Sequence, residues 1–161
     1  MDREEKAREY FRQGYNCCQS VAMAFSDITG LEPRKVAELT SGFGGGMGRM
    51  REVCGAVSGM TFCAGAIKPA ADPQVREERT ANYALVQEMA GEFREAFGSI
   101  VCKELLNLRA QDKTAGASGQ EMYGPQPSER TAAFYHSRSC ENFVGMAARI
   151  VAQKLENNTE N

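Results

Sequence analysis

The stretch GFGGGMGRMREVCGAVSGMTFCAG, Gly42–Gly65, decides the fold. Its glycines and apolar run suit three architectures: a phosphate-binding turn of an α/β sheet, a membrane span, or helices packed closely around a thiol. A Walker-type loop needs a glycine, four residues and then Gly-Lys-Ser/Thr, which this segment lacks. The dinucleotide spacing Gly-x-Gly-x-x-Gly also fails, because Met47 stands where the third glycine belongs, and no strand pattern precedes it. The uncharged run from Val53 to Ile67 is shorter than the roughly 20 residues that cross a bilayer. A helix remains, expected from about Arg49 to Ile67, entered through a flexible glycine turn. Gly55 and Gly59 lie four apart on one face of that helix and leave room for a close neighbour.

Working outward, the periodic segments read as helix. Glu4–Gln13 places Ala7, Tyr10 and Phe11 on one side, and Gly14 stops it. Asn16 is a good N-cap for a helix in which Cys17, Val21, Ala24 and Ile28 share a stripe as far as Gly30. Pro33 opens a third helix that ends near Ser41. Asp72–Pro73 predicts the start of a long amphipathic helix striped by Val75, Arg79, Tyr83, Val86, Ala90, Phe93 and Phe97, closed by Gly98. Ser99 is a cap candidate for the short helix that follows, and Ser137 or Ser139 for a last helix with Phe143, Val144, Ala147, Ile150 and Val151 inward. Between them, 109–135 is polar and rich in turn formers and reads as a long loop of lid type. The expected fold is all-α, a single-domain bundle over residues 1–161 of about five to seven helices.

The chain has 161 residues, enough for one domain with its own core. Its net charge of −2 argues against nucleic acid, which usually requires a basic face. No window predicts a membrane span. The charged start, MDREEKAREYF, lacks the pattern of an export signal, so the expected address is cytoplasmic. In that reducing setting six cysteines are metal ligands, redox thiols or small core residues rather than structural disulfides. No pair has the two-residue gap of a zinc knuckle or a thioredoxin-type motif, so a joint site has to be assembled by the fold.

Three cysteines fall in predicted helix starts: Cys17 after Asn16, Cys102 three residues past Ser99, and Cys140 after Ser139. Helix N-termini stabilise a thiolate. Cys54 has Arg51 one helical turn earlier, a cation acting in the same direction. Cys63, nine residues beyond Cys54, points to the opposite side of the helix and reads as packing, as does Cys18. His136 stands in polar surroundings and reads as an exposed residue.

The segments GYNCCQSV, SGFGGGMGRMREVCGAVSG, FGSIVCKELL and SCENFV, taken together, resemble the C_GCAxxG_C_C family, whose description is of redox-active proteins. The likeness runs in order from about Glu5 to Ala152, and the family motif stands here as Cys54-Gly55-Ala56-Val57-Ser58-Gly59. It implies that Cys17, Cys54, Cys102 and Cys140 are the family's four cysteines and leaves Cys18 and Cys63 outside the pattern. The leading expectation is thiol redox chemistry with Cys54 as nucleophile, helped by Arg51, and Cys17, Cys102 or Cys140 resolving. The partner would be a redox protein or a small molecule. The alternative is zinc or an iron–sulfur cluster held by the same four cysteines, with His136 as a substitute ligand. A third reading is a helical interaction module with cysteines as core filler, and the long amphipathic helix leaves room for a homodimer.

Overall fold

The structure, a computed structural model, describes residues 2–108 and 122–160. Among these residues are nine α-helices: α1 Arg3–Arg12, α2 Cys17–Met23, α3 Ser26–Thr29, α4 Pro33–Thr40, α5 Gly55–Ile67, α6 Arg76–Phe97, α7 Cys102–Leu105, α8 Ala132–Ser137 and α9 Cys140–Thr159. The described chain has no strand beyond one isolated antiparallel bridge, Val53 to Val101. The all-α expectation is met, with more helices than the five to seven expected. The surplus comes from the short pieces. Buried Phe25 leaves helical geometry (φ −119°) and splits the expected second helix into α2 and α3.

Local chemistry explains most boundaries. Asp2 caps α1 by accepting from Glu5 N at 2.7 Å. Asn16 and Gln19 exchange side-chain and backbone bonds of 2.9 and 3.0 Å at the start of α2, a capping box. Gly30 and Gly98 close α3 and α6 with φ of 70° and 87°.

Four expectations need correction. The helix expected from Arg49 begins at Gly55, because Met47, Arg49 and Arg51 take left-handed backbone with φ of 62–65°. Long-range turn bonds hold that conformation, from Arg51 N to Gly45 O at 3.2 Å and Glu52 N to Gly46 O at 2.9 Å. Helix α6 begins at Arg76 rather than Pro73, since Asp72 accepts from Gln74 N at 2.9 Å in a local turn. Its buried face is Leu85, Met89 and Phe93, while Tyr83 from the expected stripe is 57% exposed. Ser99 accepts from Val101 N at 3.0 Å and does not cap α7, and neither Ser137 nor Ser139 caps α9 through its side chain. Finally, the expected loop 109–135 contains the start of α8, capped by Thr131 accepting from Phe134 N at 3.1 Å. Positions 109–121 of that loop lie outside the described residues.

Helices α1, α2, α5, α6 and α9 share one core, centred on Phe11, Phe25, Met60, Met89, Phe93, Val144 and Val151. Phe93, Phe97 and Phe143 stack with centroids 4.8–6.0 Å apart and join α6 to the start of α9. Arg8 of α1 donates to Glu141 O at 3.1 Å and ties α1 to that same start. No described helix is long and apolar enough to cross a membrane.

Helix α5 lies close on α2. A Cβ built on Gly59 would stand 2.7 Å from Val21 Cβ, and one on Gly55 3.1 Å from both Cys17 Cβ and Cys18 N. These glycines give the close approach that their spacing predicts. Gly65, on the exposed side of α5, has open space around it. Replacing glycine by alanine in a helix otherwise stabilises by about 0.5–1 kcal/mol. Chemical denaturation should therefore show Gly65→Ala gaining stability on that scale and Gly59→Ala losing about 1–3 kcal/mol through overpacking. Equal effects at both sites would contradict the packing.

Candidate functional site

Four helices begin at one cavity, each with a cysteine as its first or N-cap residue. Cys17, Cys102 and Cys140 are the first residues of α2, α7 and α9, and Cys54 is the residue that caps α5. All four line one cavity of about 370 Å³. Sequence spacing assigned three of them to helix starts; the left-handed turn before Cys54 makes it the fourth.

Backbone bonds fix their relative positions. Asn16, having capped α2, also donates from Nδ2 to Ser41 O at 3.0 Å, holding the glycine turn over Cys17. Gly46, buried and left-handed (φ 73°), passes so near Cys102 that an added Cβ would stand 2.7 Å from Cys102 Cβ. Around the Val53–Val101 bridge, Cys54 N donates to Ile100 O at 2.8 Å and Cys102 N to Glu52 O at 2.6 Å. The segments carrying Cys54 and Cys102 are thereby locked side by side. Cys140 shares the cavity wall with Phe143 of the same helix, itself fixed by the aromatic stack.

The thiols are electrostatically unequal. Cys17 and Cys140 act on each other as neighbouring thiols, and the interaction with protonated Cys17 is the first cause holding Cys140 down, to about 7, against the effect of burial. The guanidinium groups of Arg138, Arg51 and Arg130 add to it. Cys17 itself is pushed well up, first by the same interaction and then by burial. Burial pushes Cys54 up to about 12, although the backbone N–H groups of Ala56 and Val57 at the start of α5 oppose it. Cys102 is raised by burial and partly relieved by Arg51, whose Nη1 is 3.8 Å from its Sγ. Arg51 was expected beside Cys54; its left-handed backbone instead carries the guanidinium to Cys102. A helix start is thus not enough to lower a thiol here, and only Cys140 of the four is shifted down.

Three further arginines line the cavity and were not singled out from the sequence: Arg49, Arg130 and Arg138. Arg130 lies 4.5 Å above the Phe11 ring and 4.7 Å from that of Phe134, and donates to Tyr15 O at 3.0 Å. Arg138 lies 4.5 Å from the Phe134 ring and donates to Ser128 Oγ at 3.4 Å. Two arginines within SERTAAFYHSRSC, so near Cys140, were the available signal. Cys18 and Cys63 are fully buried, raised by desolvation and outside the cavity; the exposed His136 also lies outside it. All six cysteines are unlinked thiols.

The metal alternative meets a geometric test. Among the described residues no three of His, Cys, Asp and Glu stand together as the ligands of one ion would. Among the described residues the four cysteines share a cavity without forming a coordination set.

Fold and cavity define an all-α protein with four cysteines gathered at helix starts. Residues 15–154 match the family described as "Putative redox-active protein (C_GCAxxG_C_C)", and the chain belongs to that family. No curated protein and no solved structure matches it.

A thiol held near 7 reacts as thiolate above that pH and loses reactivity below it. Alkylation of Cys140 by iodoacetamide, followed by peptide mass spectrometry, should rise through a midpoint near 7, while Cys54 stays slow. Cys17→Ala removes that neighbour and should move the Cys140 midpoint upward. A wild-type midpoint at the ordinary thiol value of 9.0 would contradict the coupling of the two thiols.

Proposed function

We propose that this family member is a thiol–disulfide exchange protein in which Cys140 attacks and Cys17 resolves. The observation that carries the reading is that these two thiols, the first residues of α2 and α9, line one cavity as electrostatic neighbours. The low-lying thiolate of Cys140 supports the assignment, since the thiolate is the nucleophile. It takes the place of Cys54, whose thiol is kept protonated by burial.

In the step proposed, Cys140 Sγ⁻ attacks one sulfur of a disulfide, forming a mixed disulfide and expelling a thiolate. Cys17 then gives up its proton and attacks Cys140 Sγ, closing a Cys17–Cys140 bond and expelling the second thiolate. The protein dithiol loses two electrons, the substrate disulfide gains them, and the Cys17 proton leaves on a departing thiol. Arg51 is a positioning residue, holding Cys102 and, through Nε, Met122 O at 2.8 Å. Cys102 and Cys54 border the reacting pair. The cycle suits a reducing compartment, where the resting form is the dithiol, in keeping with a cytoplasmic address. The core-filler reading suits Cys18 and Cys63 and not the four cysteines of the cavity.

Neutral bis(2-hydroxyethyl) disulfide added to the reduced chain should remove two thiols and yield a Cys17–Cys140 cross-linked peptide. Cys17→Ser should stop at a mixed disulfide on Cys140, and Cys140→Ser should leave Cys17 unmodified. Oxidation that bypasses Cys140, or a wild-type chain that loses no thiol, would sink the proposal.

A further inference from the structure

The cavity carries more positive charge than thiol exchange alone requires. Arg51 is only 3% exposed, lines the cavity, and has the Met122 carbonyl and the Cys102 sulfur as its hydrogen-bond acceptors. Arg138 and Arg130, both half-buried, bond to a carbonyl, hydroxyl or thioether and lie against aromatic rings. Among the described residues no carboxylate pairs with any of the three, whereas Arg3, Arg8, Arg12 and Arg149 all have such partners elsewhere. A buried cation without a counter-ion is costly, and the Cys140 thiolate offsets one of three. The remaining field attracts an anion into a space that Leu105 and Phe143 also line with apolar surface. The volume admits a molecule well beyond a peroxide or a simple oxyanion in size.

We propose that the cavity selects a low-molecular-weight disulfide whose ends carry carboxylates. Its central sulfurs face Cys140, its apolar stem lies on Phe143 and Leu105, and its carboxylates meet Arg138 and Arg51. This specificity rests on the exchange reading above and names its substrate class. The reaction balances in the same way: one carboxylate-bearing disulfide gains two electrons and leaves as two thiols, and Cys17 and Cys140 become a disulfide.

The test compares three disulfides of similar length on the full reduced chain: dithiodiglycolate with two carboxylates, neutral bis(2-hydroxyethyl) disulfide, and cystamine with two ammonium groups. Each rate of Cys140 thiol loss is divided by that of free 2-mercaptoethanol thiolate with the same reagent, which removes intrinsic reactivity. The dianion should exceed the neutral reagent by about tenfold or more at low salt, with the dication slowest. Raising the ionic strength should shrink the ratio. Arg138→Gln should cut the dianion-to-neutral ratio several-fold, a readout insensitive to any general loss of thiolate. If the variant does not fold, the salt dependence of the wild-type ratio decides. A ratio near one with normal reaction of the neutral disulfide overturns the anionic substrate class and leaves thiol exchange standing. Failure of all three reagents overturns both.

Discussion

The contact of α5 on α2 through Gly55 and Gly59 is the constraint on which the site depends. It brings the α5 backbone so near that Val21 and Cys17 stand where side chains would otherwise be. The start of α5 therefore lies beside the start of α2, and Cys54 beside Cys17. The remaining two thiols are added by separate contacts: the isolated Val53–Val101 bridge docks the start of α7, and the Phe93–Phe97–Phe143 stack with Arg8 docks the start of α9. The cavity is held open by packing.

Within it, burial and charge compete, and magnitudes decide the outcome. A helix N-terminus favours an anion by about 0.3–1 kcal/mol, less than the roughly 1.4 kcal/mol in a single pKa unit. Desolvation readily exceeds that, which is why Cys54 rises despite its N–H partners. Cys140 escapes because a neighbouring thiol and three guanidinium groups act together. The strained turn belongs to this arrangement. Met47, Arg49 and Arg51 each hold a left-handed conformation that costs a non-glycine residue about 1–2 kcal/mol, and through it Arg51 reaches Cys102.

Elements fixed by neighbouring residues were legible in the sequence. Asn16, Pro33, Gly30 and Gly98 act through bonds or dihedrals of their own turn, and each marks the boundary it predicted. The four cavity cysteines were legible too, from helix starts and family motif together. What the sequence hid depends on distance. The left-handed run before Cys54 is sustained by bonds reaching back to Gly44, Gly45 and Gly46 and looks like a helix start to a local reading. The α6 stripe had the right period, yet Tyr83 is left exposed while Leu85 is buried. Arg130 and Arg138 reach the thiols only because α8 and its flanks fold back on α1, with Arg130 bonded to Phe11 O and Tyr15 O. The rank of Cys140 above Cys54 follows from those arginines and from Cys17, so it was not readable one segment at a time.

The claim at the centre is that Cys17 and Cys140 are the working redox couple of a cavity that four thiols line. Cysteine ¹³Cβ chemical shifts, recorded on the labelled chain reduced and then oxidised by one disulfide equivalent, test it most directly. The account predicts that the Cys17 and Cys140 resonances move into the disulfide range while Cys18, Cys54, Cys63 and Cys102 remain thiols. Disulfide shifts at Cys54 and Cys102, with Cys17 and Cys140 unchanged, would contradict it.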